Sequence, residues 1–256
     1  LDIAFAALDK DADVFIEKPL SDSVKESKKL VKQVESIDQT AFVACNMRFH
    51  PPVIQIQEWI DDGEIGQLQF LRLRYGNDLR NWRSTDYRES YSSNSDEGGG
   101  IVLDGVHELD LALKWMDDID QVSASVGQVS DLEIDVEDVS EIVLQSNNRM
   151  AEVHLDYIRP ERARTYELIG NEGMIRWMGR GKNPEVSTVE LHQRDSDEVV
   201  REEFESTLNE QYVAEIEHFI SCVRGTETPA MTVRRGYEVL RLARMAKEAD
   251  KNQKSI

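Results

Sequence analysis

The sequence predicts an α/β chain in two parts. Residues 1–48 read as the C-terminal portion of a parallel, doubly wound layer. Residues 49–256 read as an α+β domain with a large, mostly antiparallel open sheet. The first 46 residues alternate helix, strand, helix, strand, which is the order of a parallel layer. From residue 67 onward, strand-like runs follow one another without intervening helices, which is the order of an antiparallel sheet. Two amphipathic segments near 210–223 and 233–249 close the chain as helices.

Taken in order, residues 3–8 (IAFAAL) have helical spacing, and Lys10 to Asp13 form a polar turn. Val14, Phe15 and Ile16 are a short apolar run, expected as a buried parallel strand. Ser21 or Asp22 is placed to cap the next helix, whose apolar stripe is Val24, Leu30, Val31 and Val34. Residues 40–45 (TAFVAC) are a second apolar strand, and Pro51-Pro52 open a helix to about Ile60. Residues 67–75 alternate as a half-buried strand. Further strands are expected at 122–129, 139–145, 150–156, 164–169, 174–178 and 188–193, several of them separated by Asn and Gly turn signals. Gly225 is placed to end the first closing helix.

Composition narrows the partners. Fifty acids against thirty bases give a net charge of −20, which repels nucleic acid and anionic membrane surfaces. Only eleven of the bases are lysine. This balance suits a protein kept soluble in concentrated salt, or an ordinary acidic cytoplasmic protein. No apolar run is long enough to span a bilayer. Cys45 and Cys222 form no CxxC pair and read as reduced, buried thiols. With an alternating late sheet and few helices to cover it, one apolar face is expected to remain for another copy of the chain.

Chemistry concentrates in residues 81–115. A polar segment rich in hydroxyls and arginines (Arg83, Tyr87, Arg88, Tyr91, Ser92) precedes Gly98-Gly99-Gly100, and an apolar helix follows. Asp104, His107 and Asp110 lie three residues apart, a spacing that places them on one helix face. The inventory suits a small polyhydroxylated or carboxylated ligand; a capped histidine behind a flexible glycine entry is the plainer alternative. Glu17-Lys18-Pro19 ends the first predicted strand, where open α/β sheets bind ligands.

Glu17-Lys18-Pro19, Asn46-Met47-Arg48-Phe49-His50-Pro51, and the glycines followed by Asp104-Gly105-Val106-His107 together resemble the Gfo/Idh/MocA oxidoreductases. The resemblance implies a Rossmann domain binding NAD or NADP and a C-terminal sheet domain. It implies hydride transfer between the nicotinamide and a carbon of a sugar, cyclitol or nucleotide-sugar. Lys18, Asp104 and His107 match the catalytic positions, with Asp104 expected to orient or charge-tune His107. Glu17, Lys18, Pro19, Asn46 and Arg48 match the nicotinamide end of the cofactor site, with the Lys18–Pro19 peptide bond expected in cis. Arg83, Tyr87, Tyr91 and Asp110 are expected to hold the substrate. Tyr87-Arg88-Glu89-Ser90-Tyr91 and His107-Glu108-Leu109-Asp110 are similar to a branch associated with surface-polysaccharide or nucleotide-sugar metabolism.

Two departures qualify the resemblance. The Asp-to-His step is three residues where many members have four. The glycine-rich dinucleotide loop is not in this sequence, since Gly98-Gly99-Gly100 follows a polar stretch rather than a strand. The chain therefore reads as lacking the N-terminal part of the dinucleotide domain and is expected, by itself, to bind NAD(P) weakly. An NAD-dependent glycosidase of the same fold, a non-catalytic binding or assembly protein, and a metal hydrolase using Asp104, His107 and Asp110 are the competing readings.

Overall fold

A computed structural model of the protein describes residues 1–181 and 183–251. Helix α1 (Asp2–Leu8) leads into β1 (Val14–Ile16), which pairs in parallel with β2 (Ala41–Val43). Helix α2 (Val24–Val34) connects them, as expected for a parallel crossover. Its cap is Ser23 rather than Ser21 or Asp22: the Ser23 hydroxyl accepts the Glu26 N–H at 3.3 Å. Ser21 instead accepts the N–H of Ser23, one step outside the helix. The Lys18–Pro19 peptide bond is cis.

A two-stranded sheet has little surface of its own to bury. The end of the chain supplies the rest. Val43 N–H donates to the Met231 carbonyl at 3.1 Å, and Phe42 bridges Thr232. Helix α7 (Val233–Lys251) then lies against α2 and β2. Gly236 lets the two backbones approach, because a Cβ there would stand 3.0 Å from a Val43 methyl. Phe42 is fully buried and stacks on Phe15 at 5.5 Å.

After α3 (Pro51–Asp61) the large sheet begins with β3 (Leu68–Gly76). It continues through β4 (Gln121–Gly127), β5 (Val139–Gln145), β6 (Met150–Asp156), β7 (Ala163–Gly170), β8 (Gly173–Arg180), β9 (Glu185–Gln193) and β10 (Val199–Ser206). The spatial order is β10-β9-β8-β7-β3-β6-β5-β4. All neighbours are antiparallel except β3 and β6. Strand β3 inserts between two consecutive strands, which a reading of consecutive strands alone does not anticipate. Strand β10 was also not anticipated: seven of its eight side chains are not buried, so it carries no alternating apolar signal.

One face of this sheet packs on the helices through Leu71, Leu73, Leu155, Tyr166, Leu168 and Trp177. The opposite face is not the apolar surface expected from sequence. Arg72 pairs with Glu152 at 2.9 Å and Glu167 at 3.4 Å, and Arg74 reaches Glu152 at 2.8 Å. Phe70, Val143, Met174 and Met178 share that face with these pairs. Alternation sets which side chains share a face, but not whether the outer set is apolar or ionic.

The helix expected after the triple glycine is broken. Helix α4 (Ile101–Asp104) stops at Gly105, and α5 (Val106–Met116) starts after it. The break is packed tightly, since a Cβ on Gly105 would stand 2.7 Å from a Leu155 methyl. Helix α6 (Leu208–Val223) crosses the end of β2 and brings in a buried acid. The Glu215 carboxylate accepts the Cys45 N–H. Burial, with the charge of Glu17 adding to it, pushes Glu215 up to about 7.

Two outcomes test this packing. Gly105→Ala should lower stability by about 1–3 kcal/mol, the usual cost of overpacking, while Gly127→Ala, which meets open space, should not. Equal urea midpoints for the two variants would refute the account. For Glu215, the folded carboxyl keeps a proton that the unfolded chain releases between its ordinary value of 4.5 and about 7. Stability therefore falls as pH rises through that window and stays lower above it. Glu215→Gln keeps an oxygen for Cys45 N–H, so it should be more stable than the parent at pH 8 by up to about 3 kcal/mol. The gap should close near pH 4.5; a gap that ignores pH would remove the buried proton from the account.

Candidate active site

A cavity of about 310 Å³ opens where β1 ends, between the small sheet, the α4–α5 break and the large sheet. Glu17, Lys18, Asn46, Arg83, Tyr91, Asp104 and His107 all line it. Seven positions marked by the sequence, drawn from four separate stretches, thus converge. Pro19, Arg48, Tyr87 and Asp110 do not line it.

Lys18 leaves the end of β1 and donates from Nζ to the backbone carbonyl of Asp104 at 3.0 Å. That carbonyl is turned out of the helical ladder by the break, because Glu108 N–H bonds Gly105 instead. The Asp104 carboxylate is buried and accepts two phenols, Tyr91 at 2.9 Å and Tyr157 at 2.6 Å. Burial and the Asp104 charge push the Tyr91 hydroxyl up to about 12 and hold Tyr157 well above its ordinary value. Both phenols therefore stay protonated and donate. Asp104 is committed to them rather than to His107, which corrects the expected orienting role.

His107 meets a thiol instead. Its Nδ1 lies 3.5 Å from Cys45 Sγ. The thiol donates to Asp110 Oδ2 at 3.1 Å. Burial, then the neighbouring Asp110 charge, holds Cys45 well above the usual thiol range, so it remains S–H. With its proton on Asp110, the sulfur is left as an acceptor for Nδ1–H. The His107 nitrogen left for the cavity is then unprotonated Nε2. Burial, with the charges of Lys18 and Arg164, lowers His107 well below its ordinary value and keeps it neutral.

Asp110 and Arg48 leave the site for each other. Arg48 donates through Nε at 2.8 Å and Nη2 at 2.6 Å to the two Asp110 oxygens, and its Nη1 reaches the Ala230 carbonyl. Asp110 is buried against Arg48 and Cys45, and neither Asp110 nor Arg48 lines the cavity that Lys18 and His107 share. Among the described residues no three His, Cys, Asp or Glu side chains are grouped to hold a metal ion, so Asp104, His107 and Asp110 do not form the site of the metal-hydrolase reading. Tyr87 turns outward, its hydroxyl accepting the Glu133 N–H at 3.3 Å. Pro19 lines a separate, narrow apolar crevice with Leu20, Val43 and Leu240.

The rest of the wall was not legible in sequence. Asn77, Tyr75, Trp82, Arg162 and Arg164 come from the large sheet and its connections, and Gln211 and Tyr212 from α6. Arg164 is buried, donates to Glu108 at 2.6 Å and lies over the Tyr75 ring at 4.4 Å. Arg162 pairs with Glu185 at 2.6 Å. Burial works against the charged form of Glu185, but His50 and the arginines outweigh it and hold its carboxyl at about 2. The one usable signal is alternation: Arg164 lies two residues before the buried Tyr166 on one face of β7, and Arg162 precedes the strand by one residue in the same alternation.

The residues present suit the nicotinamide end of a dinucleotide. Glu17 and Lys18 stand at the carboxyl end of a parallel strand, and Asn46 follows the end of the neighbouring one, the place where open parallel sheets receive such ligands. Residues 53–176 match the family model described as the GFO/IDH/MocA C-terminal domain. The chain is 26% identical over 242 residues to scyllo-inositol 2-dehydrogenase (NAD(+)) of Bacillus subtilis, covering 90% of this chain and 66% of that protein. It is 27% identical over 257 residues to myo-inositol 2-dehydrogenase of Thermotoga maritima, covering 95% and 72%. An oxidoreductase from Agrobacterium radiobacter, solved with NAD+, L-tartaric acid and magnesium, superposes with a TM-score of 0.82 at 19% identity, over 100% of this chain and 75% of that one. The chain thus spans about two thirds of the length of these curated relatives. By its matched domain, its relatives and its fold, the chain is similar to the Gfo/Idh/MocA oxidoreductases, whose C-terminal domain is matched by residues 53–176.

Proposed function

We propose that the whole protein is an NAD- or NADP-dependent oxidoreductase acting on a carbon of a sugar, cyclitol or nucleotide-sugar. The observation that carries this reading is the meeting of Lys18 and His107 in one cavity at the end of β1. The inositol dehydrogenases among its relatives support the substrate class. When bound, the nicotinamide supplies the acceptor or donor for hydride. Glu17, Lys18 and Asn46 would hold it.

In the oxidising direction, His107 Nε2 takes the proton of the reacting hydroxyl. Its neutrality makes it available as a base across the physiological range, and the Cys45–Asp110–Arg48 chain behind it holds the required tautomer. Lys18 stabilises the alkoxide that develops as the proton leaves. The Asp104 carbonyl fixes the ammonium, while the Asp104 carboxylate, also bonded to the buried Tyr157, fixes Tyr91 at the cavity wall. One residue thus positions groups on both sides of the substrate.

The outer face of the large sheet is proposed as the contact between copies of the chain. Its cross-strand ion pairs and interspersed Phe70, Val143, Met174 and Met178 offer a flat surface that can meet itself across a two-fold axis. Light scattering should show an assembly that Val143→Arg disrupts; a monomeric parent would end this reading.

The reaction is tested on the whole protein by nicotinamide absorbance with NAD+ and NADP+ over a panel of sugars and cyclitols. Reduction with at least one is expected, and no reduction with any would overturn the proposal. Lys18→Ala should lower kcat by about 10²–10⁴-fold, the usual contribution of such a group, with a much smaller change in substrate affinity. An unchanged kcat would remove Lys18 from the chemistry.

A further inference from the structure

Four cations line the cavity: Lys18, Arg83, Arg162 and Arg164. Three of them have work assigned by their contacts. Lys18 sits on the Asp104 carbonyl beside the reacting position. Arg162 and Arg164 are neutralised from behind by Glu185 and Glu108. Arg83 differs from the other two arginines in its partners and from Lys18 in its planar fork. Its Nη1 donates to the hydroxyls of Ser90 at 2.7 Å and Ser92 at 3.0 Å, and its guanidinium lies over the Tyr91 ring at 4.8 Å. Among the described residues it pairs with no carboxylate.

Those contacts orient the guanidinium without cancelling its charge. Nη1 is held by two neutral hydroxyls and the guanidinium lies against the rings of Tyr91 and Trp82, so a planar, bidentate group lines the cavity with its other donors not bonded to a carboxylate among the described residues. The neighbouring Tyr91 is tied to Asp104, so the stacking ring is itself fixed. This arrangement stands in a chain of net charge −20, with an acid surplus available to neutralise any arginine.

We propose that Arg83 docks a carboxylate of the substrate, so that the polyol taken by this site is a sugar acid. This rests on the reading of the cavity as the sugar site. A planar carboxylate matches the guanidinium fork in two parallel hydrogen bonds. The cavity, at about 310 Å³, has room for one hexose-sized polyol. With the carboxylate on Arg83, the ring hydroxyls lie toward Lys18 and His107.

The test is calorimetric titration of the purified chain with D-glucuronate, D-glucose, D-galacturonate, D-galactose and D-glucose 6-phosphate. The acid of at least one pair should bind about tenfold or more tightly than its neutral partner, a typical gain for a charge-assisted bidentate contact. The preference should weaken with added salt. In Arg83→Met the ratio of acid to neutral affinity should fall to about one, and Arg83→Lys should recover part of it. Neutral sugars binding as well as their acids, an unchanged ratio in Arg83→Met, or no binding of either acid would each overturn the proposal. Tighter binding of the phosphate than of both acids would overturn the carboxylate assignment. The parent ratio decides even if the variants fail to fold. An acid that binds through Arg83 but is not oxidised by the whole protein with NAD+ or NADP+ would sink the dehydrogenase reading alone. Turnover of neutral sugars at or above the rate of the acids would sink this one alone.

Discussion

The interruption at Gly105 governs how the site is assembled. A continuous helix would commit the Asp104 carbonyl to the N–H four residues on. Here Glu108 N–H turns to Gly105, and the freed carbonyl accepts Lys18 from 86 residues upstream. One residue then works in two directions, with its backbone holding the ammonium and its carboxylate holding two phenols. The tight fit of Gly105 on Leu155 keeps the break at that position. This turn is one of the points that couple the small parallel sheet to the large, mostly antiparallel one.

Three buried polar knots stitch the layers around this turn. Arg48, Asp110 and Cys45 join the end of β2 to α5. Glu108, Arg164 and Tyr166 join α5 to β7, with Glu108 fully buried. His50, Glu185, Arg162 and Gln211 join the start of α3 to β9 and α6. Desolvating such groups is costly, and each arrangement is tolerable because the charges are paired. Removing one partner of such a pair leaves a buried charge, at a cost of about 3–5 kcal/mol. These knots therefore specify one relative placement of helices and sheet more than they add net stability. That placement is what brings Lys18 and His107 to a common cavity.

The electrostatics of the site follow from burial and from short-range pairing, not from the charge of the whole chain. His107 is kept neutral by burial and by two nearby cations, although the protein carries a large acid excess. Tyr91 and Tyr157 are kept protonated by burial and by Asp104. Outside the cavity, exposed pairs such as Arg88–Asp86 and Arg201–Glu190 are screened by solvent and contribute little. Despite the acid excess of the chain, Arg83 pairs with no carboxylate among the described residues. Its neighbours are two serines, a tyrosine and Trp82 because the short turns over residues 79–97 fold back on themselves.

Much of this was written locally. Periodicity identified β1 and β2, α3, α6 and α7, and most strands of the large sheet, because each has one buried face and hydrophobic spacing reports burial. Lys18, Asp104 and His107 stood out as polar groups at a strand end and at a helix start. Tertiary structure decided which of them act together. Asp110 shares a helical spacing with His107, yet its carboxylate went to Arg48, because a buried acid is drawn to whichever cation the fold brings within reach. Asp104 went to Tyr157 from β6's end, a partner 53 residues away that no local pattern announces. Cys45 became the neighbour of His107 because β2 ends beside α5. Spacing along the chain encodes the faces of helices and strands; partner choice inside the cavity depends on distances between elements, and those exist only once the sheets and helices have packed.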